Sequence, residues 1–288
     1  MIDKKLRVIV LTHGGAEKAV EHLLALDNVE VKGIFIETET ERRRPLREKV
    51  ERAIRYDGYR ATAGKIIRKA ALALAHKLAP PASKGPAAPG RYERLCEIAQ
   101  TAGVPVQFVA SYHSPQAAEA MRAAAADLGI VLGTNILKES VFNIPRLGSI
   151  NLHQGLAPFY RGGPPVFWEL FNGESEVGLT VHFVASKVDT GEIVLQETVP
   201  LTYDYSYGLD FESFIEDYRR QLADRSASLV AEAARQIADG TFVTRPQDTS
   251  LGKRYRLPVK KEKDELRRRL SRRRASARLF RERASAEN

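Results

Sequence analysis

An amide and an imidazole, Asn151 and His153, stand two residues apart in an apolar run, and a carboxylate, Asp189, follows just before Thr190-Gly191. Between them lies a Gly/Pro-rich stretch, Gly155 to Pro165. Strand residues two apart share a face, so the amide and the imidazole are expected to converge at one strand end. Transfer of an acyl group to an amine passes through a tetrahedral intermediate whose oxyanion needs aimed donors. Asn151 and a protonated His153 suit that task. The attacking amine must also lose a proton, which Asp189 is placed to take, directly or through a water, while holding the imidazole in its useful charge state. No covalent nucleophile is required. Singly, each residue has a plain reading, a satisfied strand histidine or a turn-forming aspartate; the three together carry the chemistry.

The elements around them follow from patterning. Arg7–Thr12 is a short β-branched run ending at His13-Gly14-Gly15, Ala16–Leu26 has helical spacing, and Val29–Ile36 is a second apolar run. Strand, helix and strand at this spacing make a βαβ unit and a parallel start. Further strands are expected at Val104–Val109, Gly129–Gly133, Ser149–His153, Gly178–Val184 and Ile193–Val199. Helices are expected at Arg91–Ala102, Ser114–Ala126 and Phe211–Ala238. The alternation implies an open, doubly wound α/β sheet, mostly parallel, with helices on both faces. Ligands in such sheets sit at the carboxyl ends of strands. That rule selects His13-Gly14-Gly15, Thr134 to Lys138 and the loop after His153.

A domain over residues 1–245 is expected, interrupted at 38–92 by a charged helical insertion with a Pro/Ala/Gly linker, and followed by an extension and basic tail over 246–288. The formal net charge is +9, of which +7 falls in residues 260–288, where twelve Lys/Arg face five Asp/Glu. The body is therefore no basic nucleic-acid surface, whereas the partly helical tail is either a solvated charge run or a contact for RNA, acidic partners or an anionic membrane surface. The single cysteine, Cys96, excludes a disulfide framework and a cysteine metal site and reads as a buried small hydrophobe. The N-terminus has no signal-peptide core and no apolar run reaches membrane-spanning length, so a soluble, cytoplasmic protein is expected. Gly58 to Lys65 misses the P-loop spacing by one residue.

Asn151-Leu152-His153, Pro158-Phe159-Tyr160-Arg161-Gly162, Gly173-Glu174, Gly178-Leu179-Thr180-Val181-His182 and Asp189-Thr190-Gly191 form an ordered set. It resembles the signature of the folate-dependent formyltransferases, which include glycinamide ribonucleotide, methionyl-tRNA and sugar-nucleotide N-formyltransferases. The similarity runs from about Leu6 to Gln236. It implies a Rossmann-like formyltransferase fold, 10-formyltetrahydrofolate as formyl donor with no metal, and Asn151, His153 and Asp189 as the catalytic residues. Asn135-Ile136-Leu137 and the loop from Val184 to Val188 and Asp189 resemble the two walls of the folate pocket. His182 shares a strand face with Thr180 and reads as a supporting or surface residue.

The departures concern the acceptor. Gly155-Leu156-Ala157-Pro158 replaces the family's Ser-Leu-Leu-Pro, and Glu17 follows the first strand where a phosphate loop would stand. His13 is a candidate at the acceptor site, or a plain turn residue. Tyr160, Arg161 and Gly162 are candidates on the loop that meets the acceptor, with Arg161 either binding an anion or bracing the loop. Arg42-Arg43-Arg44 sits where the tRNA enzymes are basic but lacks their motif, and the region after Pro200 shows no barrel pattern. Pro164-Pro165-Val166-Phe167-Trp168 looks more like the sugar-modifying relatives. The resemblance thus favours a nucleotide-linked amino sugar as acceptor, with methionyl-tRNA gripped by the Arg42 loop or the tail as the alternative. A non-catalytic RNA-binding or scaffold protein on the same fold is the rival of another class. A homodimer is left open.

Overall fold

The computed structural model describes residues 5–38, 46–59, 61–64, 66–68, 90 and 92–286. Arg42-Arg43-Arg44 and most of the Pro/Ala/Gly linker, residues 80–89, lie outside them.

A seven-stranded sheet dominates. Its strands are β1 (Leu6–Thr12), β2 (Val29–Glu37), β3 (Val106–Val109), β4 (Leu128–Leu132), β5 (Ser149–His153), β7 (Glu176–Phe183) and β8 (Ile193–Pro200), in the order β3-β2-β1-β4-β5-β7-β8. β1 to β5 pair in parallel, and β7 runs antiparallel to both β5 and β8. The change of direction follows from the connections. Helices carry the chain between the first four strands, whereas β7 and β8 are joined by a loop short enough for an antiparallel hairpin. A separate ladder pairs β6 (Tyr160–Arg161) with β9 (Lys253–Arg254) in parallel. The open, mostly parallel α/β sheet expected from patterning is thus observed.

The sheet is buried on both faces, as its unbroken apolar strands require. Val8 and Val10 of β1 pack into one core, with Val20 and Leu23 of α1 (Glu17–Leu24). Val230, Ala234 and Ile237 of the long helix Phe211–Asp239 join the same core. Ile9 and Leu11 face the opposite core, beside Phe35, Tyr112 and Met121. The helices on the first half of the chain also include α2 (Leu46–Asp57) and α3 (Glu93–Thr101). Leu95 and Ala99 of α3 are fully buried, but Cys96 lies on the helix flank and is only half-buried, which corrects its reading as a core residue. α4 (Pro115–Ala123) starts where local chemistry dictates: the Ser114 hydroxyl accepts from the Ala117 amide and Pro115 occupies the first helical position. α5 (Glu139–Phe142) and α6 (Phe167–Asn172) are single turns, and α7 (Phe211–Asp239) and α8 (Lys260–Ala286) are long.

Two compact units are separable. The first comprises residues 1–40, 91–203 and 214–256 and holds the sheet; the second comprises 41–90, 204–213 and 257–288. In the second, the basic tail is a packed helix over its first half. Leu266 and Leu270 of α8 are fully buried, the Arg267 guanidinium lies 2.9 Å from Glu212 and 4.9 Å from the Phe211 ring centroid, and Lys263 lies 3.7 Å from Asp57. Beyond that contact Arg272, Arg273 and Arg274 are exposed. No helix among the described residues is long and apolar enough to cross a membrane.

Candidate active site

β5 ends in the site. Asn151 stands opposite His182 of β7 in the antiparallel register, and His153 stands opposite Thr180. The pleat therefore puts Asn151, His153, His182 and Thr180 on one face of the sheet. The Asn151 amide lies 3.3 Å from His182 Nε2. The hairpin loop after β7 brings Asp189 over this face, with Oδ2 3.4 Å from His153 Nδ1 and Oδ1 3.4 Å from His182 Nε2. Asp189 holds a left-handed backbone, φ +52°, a conformation in which non-glycine residues are uncommon and which functional sites are known to retain. Its carboxylate is anchored by the Gly162 amide, which donates to Oδ2 at 2.8 Å. Gly162 has φ +71°, so a side chain there would be strained.

Hydrogen bonds fix both ring orientations. His153 Nε2 lies 2.7 Å from the Tyr160 carbonyl, which only accepts, so Nε2 carries the proton and Nδ1 faces Asp189. His182 Nδ1 likewise donates to the Phe183 carbonyl at 2.7 Å, leaving Nε2 toward Asn151 and Asp189. Gly155 makes room for this: a Cβ on it would press into the His153 ring and approach the Tyr160 carbonyl at 2.8 Å.

The electrostatics divide the labour. Burial lowers the His153 pKa below its ordinary 6.5, outweighing the upward pull of Asp189 and of the Tyr160 carbonyl. Burial alone would raise the Asp189 pKa. The His182 contact, the His153 ring and the Gly162 amide reverse that and hold the carboxyl at about 2. Near neutrality the site is thus a permanent carboxylate beside a neutral imidazole with an open Nδ1 lone pair. That nitrogen first takes a proton and only then becomes a donor.

The four side chains line a cavity of about 1120 Å³ at the carboxyl ends of β1, β4 and β5. Asn135, Ile136 and Leu137 form one wall, with Ile136 64% exposed, and Val184 and Val188 line the loop wall. Gly14, Gly15 and Gly162 also line the cavity, as do the cations Lys18, Lys187, Arg219, Arg220 and Arg254 and the carboxylates Glu17 and Glu216.

The remaining candidates are placed elsewhere. His13 is 9% exposed, bonds to Glu37 Oε2 at 2.7 Å and stacks on Tyr112, so its ring points away from the cavity that its two following glycines line. Arg161 turns to the carbonyls of Pro158, Thr249 and Gly252 and braces the β6–β9 ladder. Tyr160 contributes its carbonyl to His153, while its hydroxyl donates to Glu174 and its ring stacks on Tyr255. Sequence reasoning undervalued His182, which is 2% exposed in its side chain and in the centre of the group. Its alternation with Thr180 was the available signal, but the cross-strand partner was not. It also missed Arg219 and Arg220, which reach the cavity from α7. Among the described residues no group of three or more His, Cys, Asp or Glu side chains is arranged to hold a metal ion.

Residues 83–211 match the formyl transferase family. Over that stretch the chain is similar to formyltransferases. It is 37% identical over 158 residues to the methionyl-tRNA formyltransferase of Chlorobium chlorochromatii (strain CaD3), covering 55% of this chain and 48% of that one. It is also 37% identical over 155 residues to the corresponding Synechococcus sp. (strain JA-3-3Ab) protein, covering 53% and 46%. The chain thus spans about half the length of the curated relatives it matches. Among solved structures it shares its fold with glycinamide ribonucleotide transformylase 1 from Symbiobacterium toebii, at TM-score 0.54 and 22% identity, covering 85% of this chain and 95% of that one. A 4-N formyltransferase from Francisella tularensis gives TM-score 0.51 at 13% identity, covering 87% and 76%. The formyltransferase fold accounts for the sheet whose carboxyl edge carries Asn151, His153 and His182.

Proposed function

We propose that this protein is a folate-dependent formyltransferase that moves a formyl group from 10-formyltetrahydrofolate to a primary amine. The observation that carries the reading is the convergence of Asn151, His153, His182 and Asp189 in one cavity, with the His153 ring held by the Tyr160 carbonyl. The Asn151 amide is a donor for the developing oxyanion. His153 Nδ1 accepts a proton from the attacking amine and then supplies a second donor, and Asp189 stabilises the imidazolium so formed. The walls at Asn135–Leu137 and Val184–Val188 fit the pterin of the donor.

The acceptor proposed is an amine on a nucleotide-linked sugar. The excess of cations, Lys18, Lys187, Arg219, Arg220 and Arg254, over the carboxylates Glu17, Asp189 and Glu216 in the cavity lining supports a phosphate-bearing molecule. The test is release of tetrahydrofolate by purified protein with a panel of nucleotide-linked amino sugars and with methionyl-tRNA, using His153→Ala as control. Release that needs one acceptor and His153 supports the reading. No release with any of them, together with no folate binding, overturns it in favour of a non-catalytic protein.

A second reading, methionyl-tRNA as acceptor, is favoured by the 37% identity to enzymes of that name and by the exposed arginines of α8. Because Leu266 and Leu270 pack, removing α8 would unfold more than it tests. Neutralising Arg272, Arg273 and Arg274 to Gln is the cleaner experiment. This reading requires weaker tRNA binding and a shallower salt dependence in the variant; an unchanged salt slope counts against it.

A further inference from the structure

Glu37, the last residue of β2, is a buried carboxylate outside the lining of the catalytic cavity. Its Oε2 lies 2.7 Å from His13 Nε2 and accepts from the Asn135 carboxamide at 3.4 Å, while its Oε1 accepts from the Tyr112 backbone N–H at 2.9 Å. Burial alone would raise its pKa. The Tyr112 amide, His13 and the Ser111 hydroxyl reverse that and hold the group below the usual carboxylate range. A buried charge adds little net stability once its desolvation is met. What these bonds fix is the relative placement of three segments, at the ends of β1, β3 and β4.

The segment after β4 is tied twice. Its first tie is direct, from Asn135 to Glu37. The second is at Lys138, whose backbone N–H donates to His113 Nε2 at 3.1 Å. His113 follows Tyr112, and Tyr112 is itself immobilised. Glu37 holds its N–H, and its hydroxyl lies 2.7 Å from the Thr12 carbonyl and 2.9 Å from the Phe35 carbonyl. Leu137, between the two ties, is 7% exposed and packs in the core that contains Tyr112. One carboxylate therefore holds both ends of the segment, at Asn135 directly and at Lys138 by way of Tyr112 and His113. Ile136 stands exposed between them, in the cavity lining with Asn135 and Leu137.

We propose that Glu37 is a positioning residue for the formyl donor: from outside the cavity it holds Asn135–Leu137 in the shape that receives the pterin ring. The proposal rests on the formyl-transfer reading for the identity of the ligand. A wall that had to order itself on binding would lose affinity with each side chain immobilised. The ties at Asn135 and Lys138 place that ordering in folding instead. Glu37 touches no reacting atom, so its effect falls on donor binding and not on the chemical step.

The test uses the full chain and the variants Glu37→Ala, Glu37→Gln and His113→Ala. Hydrogen exchange without ligand is read first. The Lys138 amide is expected to exchange slowly in the wild type and in Glu37→Gln, and faster in Glu37→Ala and His113→Ala, with the β4 amides unchanged throughout. Titration with 5-formyltetrahydrofolate, a stable analogue of the donor, is expected to give a Kd raised about tenfold in Glu37→Ala and about threefold in His113→Ala. Glu37→Gln keeps the shape and an accepting oxygen for Tyr112, and its Kd is expected within about twofold of wild type. In turnover, His113→Ala raises the donor KM and leaves kcat and the acceptor KM unchanged. A merely structural role would instead speed exchange in β4 as well and lower kcat. The proposal is overturned if Lys138 exchange is unchanged in both alanine variants, or if both bind the analogue as tightly as the wild type. Should Glu37→Ala fail to fold, His113→Ala decides by the same two readouts, since its ring is on the surface. Absence of binding by the wild type overturns the folate reading itself, a result distinct from wild-type binding by the variants.

Discussion

Asp189 joins His153 to His182: its Oδ2 lies 3.4 Å from His153 Nδ1, its Oδ1 lies 3.4 Å from His182 Nε2, and the Gly162 amide donates to Oδ2 as well. The two rings reach it from different strands and are oriented by two different backbone carbonyls. The site is therefore assembled across three segments, and each can be loosened separately.

Removing the imidazole tests the centre. His153→Ala is expected to lower kcat by about 10²–10⁴, the range for a lost general acid–base group, while circular dichroism and the melting temperature stay close to wild type. Asp189→Asn keeps the shape but lets the carboxamide no longer stabilise an imidazolium, and a comparable loss in kcat is expected. Wild-type turnover in both would remove them from the chemistry.

His182 provides the sharpest comparison. His182→Gln frees the Asn151 amide from its 3.3 Å contact and removes one of the two rings at Asp189. A fall in kcat of about 10–100-fold is expected, less than for His153, since a misoriented oxyanion donor retains part of a contribution worth about 10²–10³. Steady-state kinetics at saturating donor and acceptor measures it.

Gly155 and Gly162 predict different failures. Gly155→Ala drives a methyl into the His153 ring, so kcat should fall with little change in KM. Gly162→Ala strains a backbone at φ +71° and is expected to destabilise the fold by about 1 kcal/mol or more. Chemical denaturation of the two variants distinguishes the effects.

The pH dependence of stability has a definite sign. His153 has a folded pKa below its unfolded 6.5, so below that pH the unfolded chain binds more protons. Its contribution is fully present above pH 6.5 and is lost as the pH falls through the folded pKa. Asp189 behaves likewise, with its contribution complete above pH 3.8 and lost on the way to about 2. Urea midpoints between pH 7.5 and pH 5 should fall, and His153→Gln should flatten that slope.

The sequence by itself determined the alternation of strands and helices, the shared face of Asn151 and His153, and the arrival of a carboxylate at Asp189. These are local matters: a two-residue period puts side chains on one face wherever the strand goes. Burial of β1 on both sides was legible in its unbroken apolar run, and the start of α4 in Ser114-Pro115. The tertiary structure alone decided which strands became neighbours. The β5–β7 register set Asn151 against His182, and no spacing along the chain encodes that pairing. The same reason separates His13 and Arg161 from the cavity. Their motifs placed them at loop ends correctly, but whether a side chain faces a ligand or a neighbouring carboxylate and carbonyl depends on what packs behind the loop. For His13 that is Glu37 of β2, and for Arg161 it is the segment from Thr249 to Gly252. Glu169 shows the limit most clearly, because a glutamate in a one-turn helix has no sequence pattern that announces its burial, and its ionisation is set by the surroundings that bury it.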